Sequence, residues 1–112
     1  AGIGAASGEH GSELGEKRSA SGRIPLEALR EMVKLHDREM VRLLKKRLEL
    51  AGEIGRLKKA LGLAVKDPKV EQAVMRNALR AGRELGLSPR MVERIMRTVI
   101  AGSRLRQNAE RQ

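Results

Sequence analysis

The 112-residue chain contains no cysteine, phenylalanine, tyrosine or tryptophan, and only three prolines. Without cysteine there is no disulfide staple, no thiolate nucleophile and no cysteine-ligated metal. Without aromatic rings no base can stack, which argues against RNA-recognition, OB-type and other stacking readers of single strands. The two histidines, His10 and His36, stand far apart and show no metal-ligand spacing, so no metal is expected. No apolar run approaches the ~20 residues of a membrane span. The N-terminus lacks the basic-then-apolar order of a secretory signal. These absences lead us to expect a soluble, cytoplasmic domain.

What is present points to a folded and strongly basic protein. Hydrophobic residues make up 40%, and 24 Lys+Arg against 14 Asp+Glu leave a net charge of +10. Glu9, Glu13 and Glu16 cancel Lys17, Arg18 and Arg23, so the whole excess belongs to the chain after Pro25. Residues 1–23 are mostly Gly, Ser, Ala and charge without apolar periodicity, and read as a flexible tail or linker before a helical domain at 24–112. The first residue is Ala1 rather than Met, which suggests processing or excision from a longer chain.

From Leu26 the pattern becomes helical. Alternate steps of three and four give Leu26, Leu29, Val33, His36, Met40, Leu43, Arg47, Leu50, Ile54, Leu57 and Leu61, apolar everywhere except His36 and Arg47. Such a seam predicts one helix of about 35 residues, roughly 50 Å long at 1.5 Å per residue. A chain this short cannot bury that length unaided, so a second copy laid alongside is expected, in a helical homodimer. Gly62 is a stop signal. Asp67-Pro68 pairs an N-cap with a first-turn proline and opens a second helix to about Leu85, with Val70, Ala73, Val74 and Ala78 facing inward. Gly86 ends it, and Ser88-Pro89 repeats the device for a third helix carrying Met91, Val92, Ile95, Met96, Val99, Ile100 and Leu105. No strand alternation or hairpin signal appears. The expected fold is all-α.

The seam's exceptions carry the functional information. His36 reads as a satisfied core histidine, a register device or a ligand. Arg47 is costly in an apolar stripe unless an anion meets it, and Glu49, Glu53, a partner-chain acid or a ligand could do so. Lys58 lies three turns on, about 16 Å along the axis and on nearly the same face. Two long side chains bending together across that gap could hold a small dianion. Gly52 and Gly55 in the helix interior indicate close packing or ligand clearance. Asp67 and Glu71 stand at i and i+4, Asp67 as a cap and Glu71 as a site acid or a favoured acid near a helix start. Ser103 and Gln107 share one face of the third helix, as surface residues or as part of a site.

In this combination the sequence resembles the all-helical chorismate mutase family, which forms intertwined homodimers around a long first helix. The matching stretches are LEALREMVKLHDREMVRLLKKRLELAGEIGRLK, VKDPKVE and VIAGSRLRQNAE. The resemblance implies the rearrangement of chorismate to prephenate, a unimolecular [3,3] reaction of phenylalanine and tyrosine biosynthesis that needs no cofactor. It implies that Arg30 reaches into the partner subunit's site to bind a substrate carboxylate, and that Arg47 binds a carboxylate within its own subunit. Lys58 and Gln107 would donate to the ether oxygen of the breaking bond. Glu71 would accept from the ring hydroxyl with backbone help at Asp67, and Ser103 would contact a carboxylate. One position departs from the pattern: the family usually carries arginine directly before the glutamate of the D-x-x-x-E pair, and this chain has Val70. Lys66 and Lys69 are nearby but out of register.

Three other readings compete. A basic helical dimer could bind nucleic acid through phosphates, although its charge is spread over three helices rather than one stripe. A non-catalytic regulatory module of the same fold, attached to or associated with another aromatic-pathway enzyme, is a second. Isochorismate–pyruvate lyase activity on this fold is a third. The resemblance itself favours a small dianionic substrate, with no nucleic acid and no membrane as partner.

Overall fold

A computed structural model describes residues 24–110; the tail at 1–23 lies outside the described residues. Three α-helices follow in order: α1 at Leu26–Leu61, α2 at Pro68–Glu84 and α3 at Pro89–Ala109. The described residues contain no strand. The all-α expectation therefore holds, and the helix limits fall within a residue or two of those read from caps and periodicity.

Local chemistry explains each boundary. The Pro25 carbonyl accepts from the Leu29 amide at 3.1 Å, so α1 begins one residue past the proline. Gly62 adopts φ +70°. The Leu63 amide returns to the Lys58 carbonyl at 2.8 Å, the closing bond of a Schellman turn. Gly86 (φ +79°) and the 2.8 Å bond from the Leu87 amide to the Gly82 carbonyl end α2 in the same way. At the opposite ends, Asp67 Oδ1 accepts from the Val70 amide at 3.3 Å and Ser88 Oγ from the Met91 amide at 3.4 Å. Both caps stand directly before their prolines, whose missing N–H costs nothing at a helix start.

The chain divides into two compact units, with the boundary inside α1 after Arg42. In the first, residues 24–42, polar side chains bond only to near neighbours: Lys34 to Glu31, Arg42 to Glu39, and the His36 ring to the Met32 carbonyl. His36 is exposed rather than a core residue in this chain. Leu29, Val33, Leu35, Met40 and Val41 are exposed as well.

In the second unit, residues 43–110, α2 and α3 pack on each other. They meet closely at Gly82, where an added Cβ would lie 2.8 Å from Val92 Cγ2. The most buried positions of α1 are Ala51, Gly52 and Gly55, and Ala51 is the only buried hydrophobic residue described. Among the described residues no large side chain is fully buried, and Leu50, Ile54, Leu57 and Leu61 are exposed. One inward assignment needs correction. Val70 is 54% exposed because it sits in the first turn of α2. On α3, Leu105 is exposed while Val99 and Ile100 are half-buried.

Candidate active site

The site is built where the 43–61 segment of α1 meets α3. Ser103 and Gln107 are one turn apart, about 6 Å along the axis of α3. Arg47 and Lys58 are three turns apart on α1, yet both reach this short span. Arg47 Nη1 donates to Ser103 Oγ, and Lys58 Nζ donates to Gln107 Oε1 at 3.1 Å. The two cations thus bend toward each other.

Glycine makes this approach possible. A Cβ on Gly55 would lie 2.7 Å from the Gln107 carbonyl oxygen and 2.8 Å from its Cα, which backbone cannot yield to without shifting the helix. Gly52 sits under the Arg106 guanidinium, with a Cβ position 3.1 Å from its nearest atoms. Close packing therefore accounts for Gly55, whereas at Gly52 the neighbour is the end of a flexible side chain. The Schellman turn after α1 then brings the Val65 carbonyl within 2.8 Å of Lys58 Nζ, so the connection to α2 helps hold the lysine.

Between the helices lies a cleft of about 280 Å³. Leu50, Ile54, Val74 and Ile100 supply its apolar wall. Arg47, Glu71, Ser103, Arg104 and Gln107 supply its polar groups. Arg104 grips Glu71 with a two-pronged contact, Nε to Oε2 at 3.0 Å and Nη2 to Oε1 at 2.8 Å. That contact holds the Glu71 carboxyl below the usual carboxylate range against the opposing effect of burial, and the Lys66 and Lys58 charges add to it. Glu71 is therefore an ionised acceptor at neutral pH. The same pairing raises the Arg104 guanidinium.

Arg47 has no carboxylate partner among the described residues: Glu49 pairs with Lys45 at 3.7 Å and Glu53 with Arg56 at 2.6 Å. Among the described residues a neutral hydroxyl is its only polar contact, which leaves most of its guanidinium for an anion. Ser103 is buried at 8% exposure, so it is not a surface polar residue.

Of the residues singled out in the sequence, Arg47, Glu71, Ser103 and Gln107 line one cleft. Lys58 is tied to it through Gln107 rather than lining it. The Asp67 side chain caps α2, and its carbonyl accepts from the Glu71 amide at 3.0 Å, so it acts on the site through the backbone of Glu71. Arg30 is exposed on the first unit's part of α1, lining a shallow depression with Glu27, Glu31 and Lys34. Sequence reasoning missed Arg104. Among the many basic residues of α3 nothing in spacing marks it, and only its partner 33 residues earlier reveals it.

An apolar-walled cleft with an unpaired guanidinium, an ammonium-bound amide and an ionised carboxylate suits a small organic anion that also carries a hydroxyl. Among the described residues no cluster of His, Asp and Glu could hold a metal ion. No helix among them is long and apolar enough to cross a membrane. The fold is all-helical, and the cleft has the chemistry a small organic anion would need. Residues 29–108 match the family described as chorismate mutase type II. The chain belongs to that family, one of isomerases in aromatic amino acid biosynthesis. It is similar to the T-protein of Enterobacter agglomerans, 32% identical over 83 residues that cover 74% of this chain and 22% of the relative. The T-protein of Haemophilus influenzae is 30% identical over the same shares. The chain spans about a fifth of the length of these curated relatives.

Proposed function

We propose that this domain converts chorismate to prephenate, as a cytoplasmic homodimer in which Arg30 of the partner subunit completes each site. The observation that carries the reading is the meeting of Arg47 with Ser103 and of Lys58 with Gln107 on one cleft flanked by Glu71. The dimer is supported by how little of one chain is buried: a lone 36-residue helix keeps most of its large apolar side chains exposed. The far greater length of the relatives supports a domain that works fused to, or beside, another aromatic-pathway enzyme.

In the reaction, the ether C–O bond breaks as a C–C bond forms within the same molecule. No group leaves and no electrons are exchanged with another reactant. Arg47 and Ser103 hold one carboxylate of the substrate in the compact conformer from which the two carbon ends can meet. Negative charge grows on the ether oxygen as the C–O bond lengthens, and Lys58 and Gln107 stabilise it as fixed donors. Because an ammonium can only donate, Gln107 turns Oε1 to Lys58 and keeps its NH2 as the donor for substrate. Each such donor contributes about 3–4 kcal/mol to lowering the barrier. Glu71 accepts the hydroxyl of the ring. The net charge of +10 draws a dianion toward the protein.

The test follows the ultraviolet absorbance of chorismate, with the product identified after acid conversion to phenylpyruvate. Lys58→Ala should lower kcat about 100- to 1000-fold while circular dichroism stays helical. Near-normal turnover in that variant would overturn the mechanism. Mixing Arg30→Ala with Lys58→Ala should partly restore activity, because each heterodimer keeps one intact site. No restoration despite proven subunit exchange would remove Arg30 from the partner's site.

A further inference from the structure

The Arg104–Glu71 pair differs from every other ion pair described in the chain in standing inside the cleft with both partners lining it. The others are neighbours on one helix or lie on Arg56, Arg106 and Glu110 outside the cleft. A guanidinium has five N–H donors, and Glu71 occupies two of those on Arg104. A carboxylate offers about four acceptor positions, and Arg104 occupies two of those on Glu71. The pair can therefore stay intact while Glu71 accepts a hydroxyl and Arg104 donates to an anion. The cleft is lined by two cationic side chains, Arg47 and Arg104, and one anionic side chain, Glu71. At the same rim α2 presents Val70, an exposed apolar side chain with nothing to offer a carboxylate.

We propose that Arg104 is a substrate-binding residue: its guanidinium, oriented by Glu71, binds a carboxylate of the dianion and supplies from α3 the positive charge that Val70 withholds from α2. The assignment rests on the chorismate reading above. It also gives Glu71 two roles, as acceptor for the substrate hydroxyl and as the group that sets the fork of Arg104. Lys66 acts on Glu71 through space only, and Lys69 is not among the cleft residues, so Arg104 is the replacement cation.

Arg104→Gln keeps an N–H donor for Glu71 and removes the charge that a substrate carboxylate needs. It should raise the KM for chorismate about 10- to 100-fold, with a smaller change in kcat and an unchanged helical spectrum. In a Glu71→Gln background the same substitution should raise KM again by a comparable factor, because Arg104 touches substrate itself. If Arg104 acted only by holding Glu71, it would add nothing to Glu71→Gln, and that result would overturn the proposal. The double variant V70R/R104V returns a guanidinium to the rim from the opposite helix and should recover most of the affinity lost in Arg104→Val. The wild-type chain separates the two readings. A wild type that neither binds nor turns over chorismate overturns the proposed function itself. A wild type that turns over normally, with a KM in Arg104→Gln within twofold of it, overturns the Arg104 assignment alone.

Discussion

The two stretches of α1 on either side of Arg42 both expose large aliphatic side chains, yet they behave in opposite ways. In residues 24–42 each described polar side-chain contact reaches no more than four residues along the chain. In residues 43–61 the contacts that matter reach 49 to 56 residues away, to Gln107, Glu110 and Ser103. Both stretches carry exposed leucines and valines or isoleucines. Only the second carries the small residues, Ala51, Gly52 and Gly55, that let another helix come close. Large apolar side chains alone do not create packing within one chain. They leave a face that a second copy can cover, whereas small residues let α3 lie against α1.

The strongest way to break the comparison is to charge the face of the first stretch. The double variant V33E/M40E should convert a dimer to monomers in sedimentation equilibrium and abolish most turnover, because buried unpaired carboxylates are costly at an apolar interface. If the chain stays dimeric, the 24–42 face is not the interface. Next in size is Gly55→Ala. Its Cβ would meet Gln107 backbone at 2.7 Å, so α3 must move, at about 1–3 kcal/mol in stability. Thermal melting measures this cost, and a parallel loss of kcat would show that Gln107 moved with the helix. A Gly55→Ala protein as stable and active as wild type would mean that the approach of α1 to α3 is looser than described.

The smallest effect contrasts two ion pairs. Glu71 is held below the usual carboxylate range by Arg104, so its pairing stabilises the fold above that range and is lost as pH falls through the lowered value. Glu71→Gln should therefore flatten part of the acid side of the stability–pH curve. Glu31→Gln, which breaks an exposed i,i+3 pair with Lys34, should change stability by less than about 0.5 kcal/mol. Equal effects from the two substitutions would show that the cleft pair is no more than another surface pair.

Much of this is legible in the sequence. The heptad seam, the two cap-plus-proline starts and the two glycine stops are local signals, and each marks an element that forms as expected. Arg47 was legible because an ionised group in an apolar stripe is expensive enough to need a reason, and Lys58 because it lies three turns on along nearly the same face. Ser103 and Gln107 were visible only as a spacing, and their resemblance to a family pattern did more than their chemistry. Arg104 and the exposed setting of Val70 were not legible, since a long flexible arginine on a basic helix can point almost anywhere.

By itself the sequence determined the helices, their ends, the sign of the charge and the absence of thiol or aromatic chemistry, because propensity, capping and composition act within a few residues. The tertiary structure decided what lies far apart in the chain. It decided that Gly55 meets the backbone of Gln107, that Arg47 bonds a hydroxyl instead of an acid, and that Arg104 grips Glu71 in the cleft. Those contacts depend on how α1, α2 and α3 pack between residues 43 and 110, which is settled by small-residue clearance and charge pairing across helices rather than by any local preference.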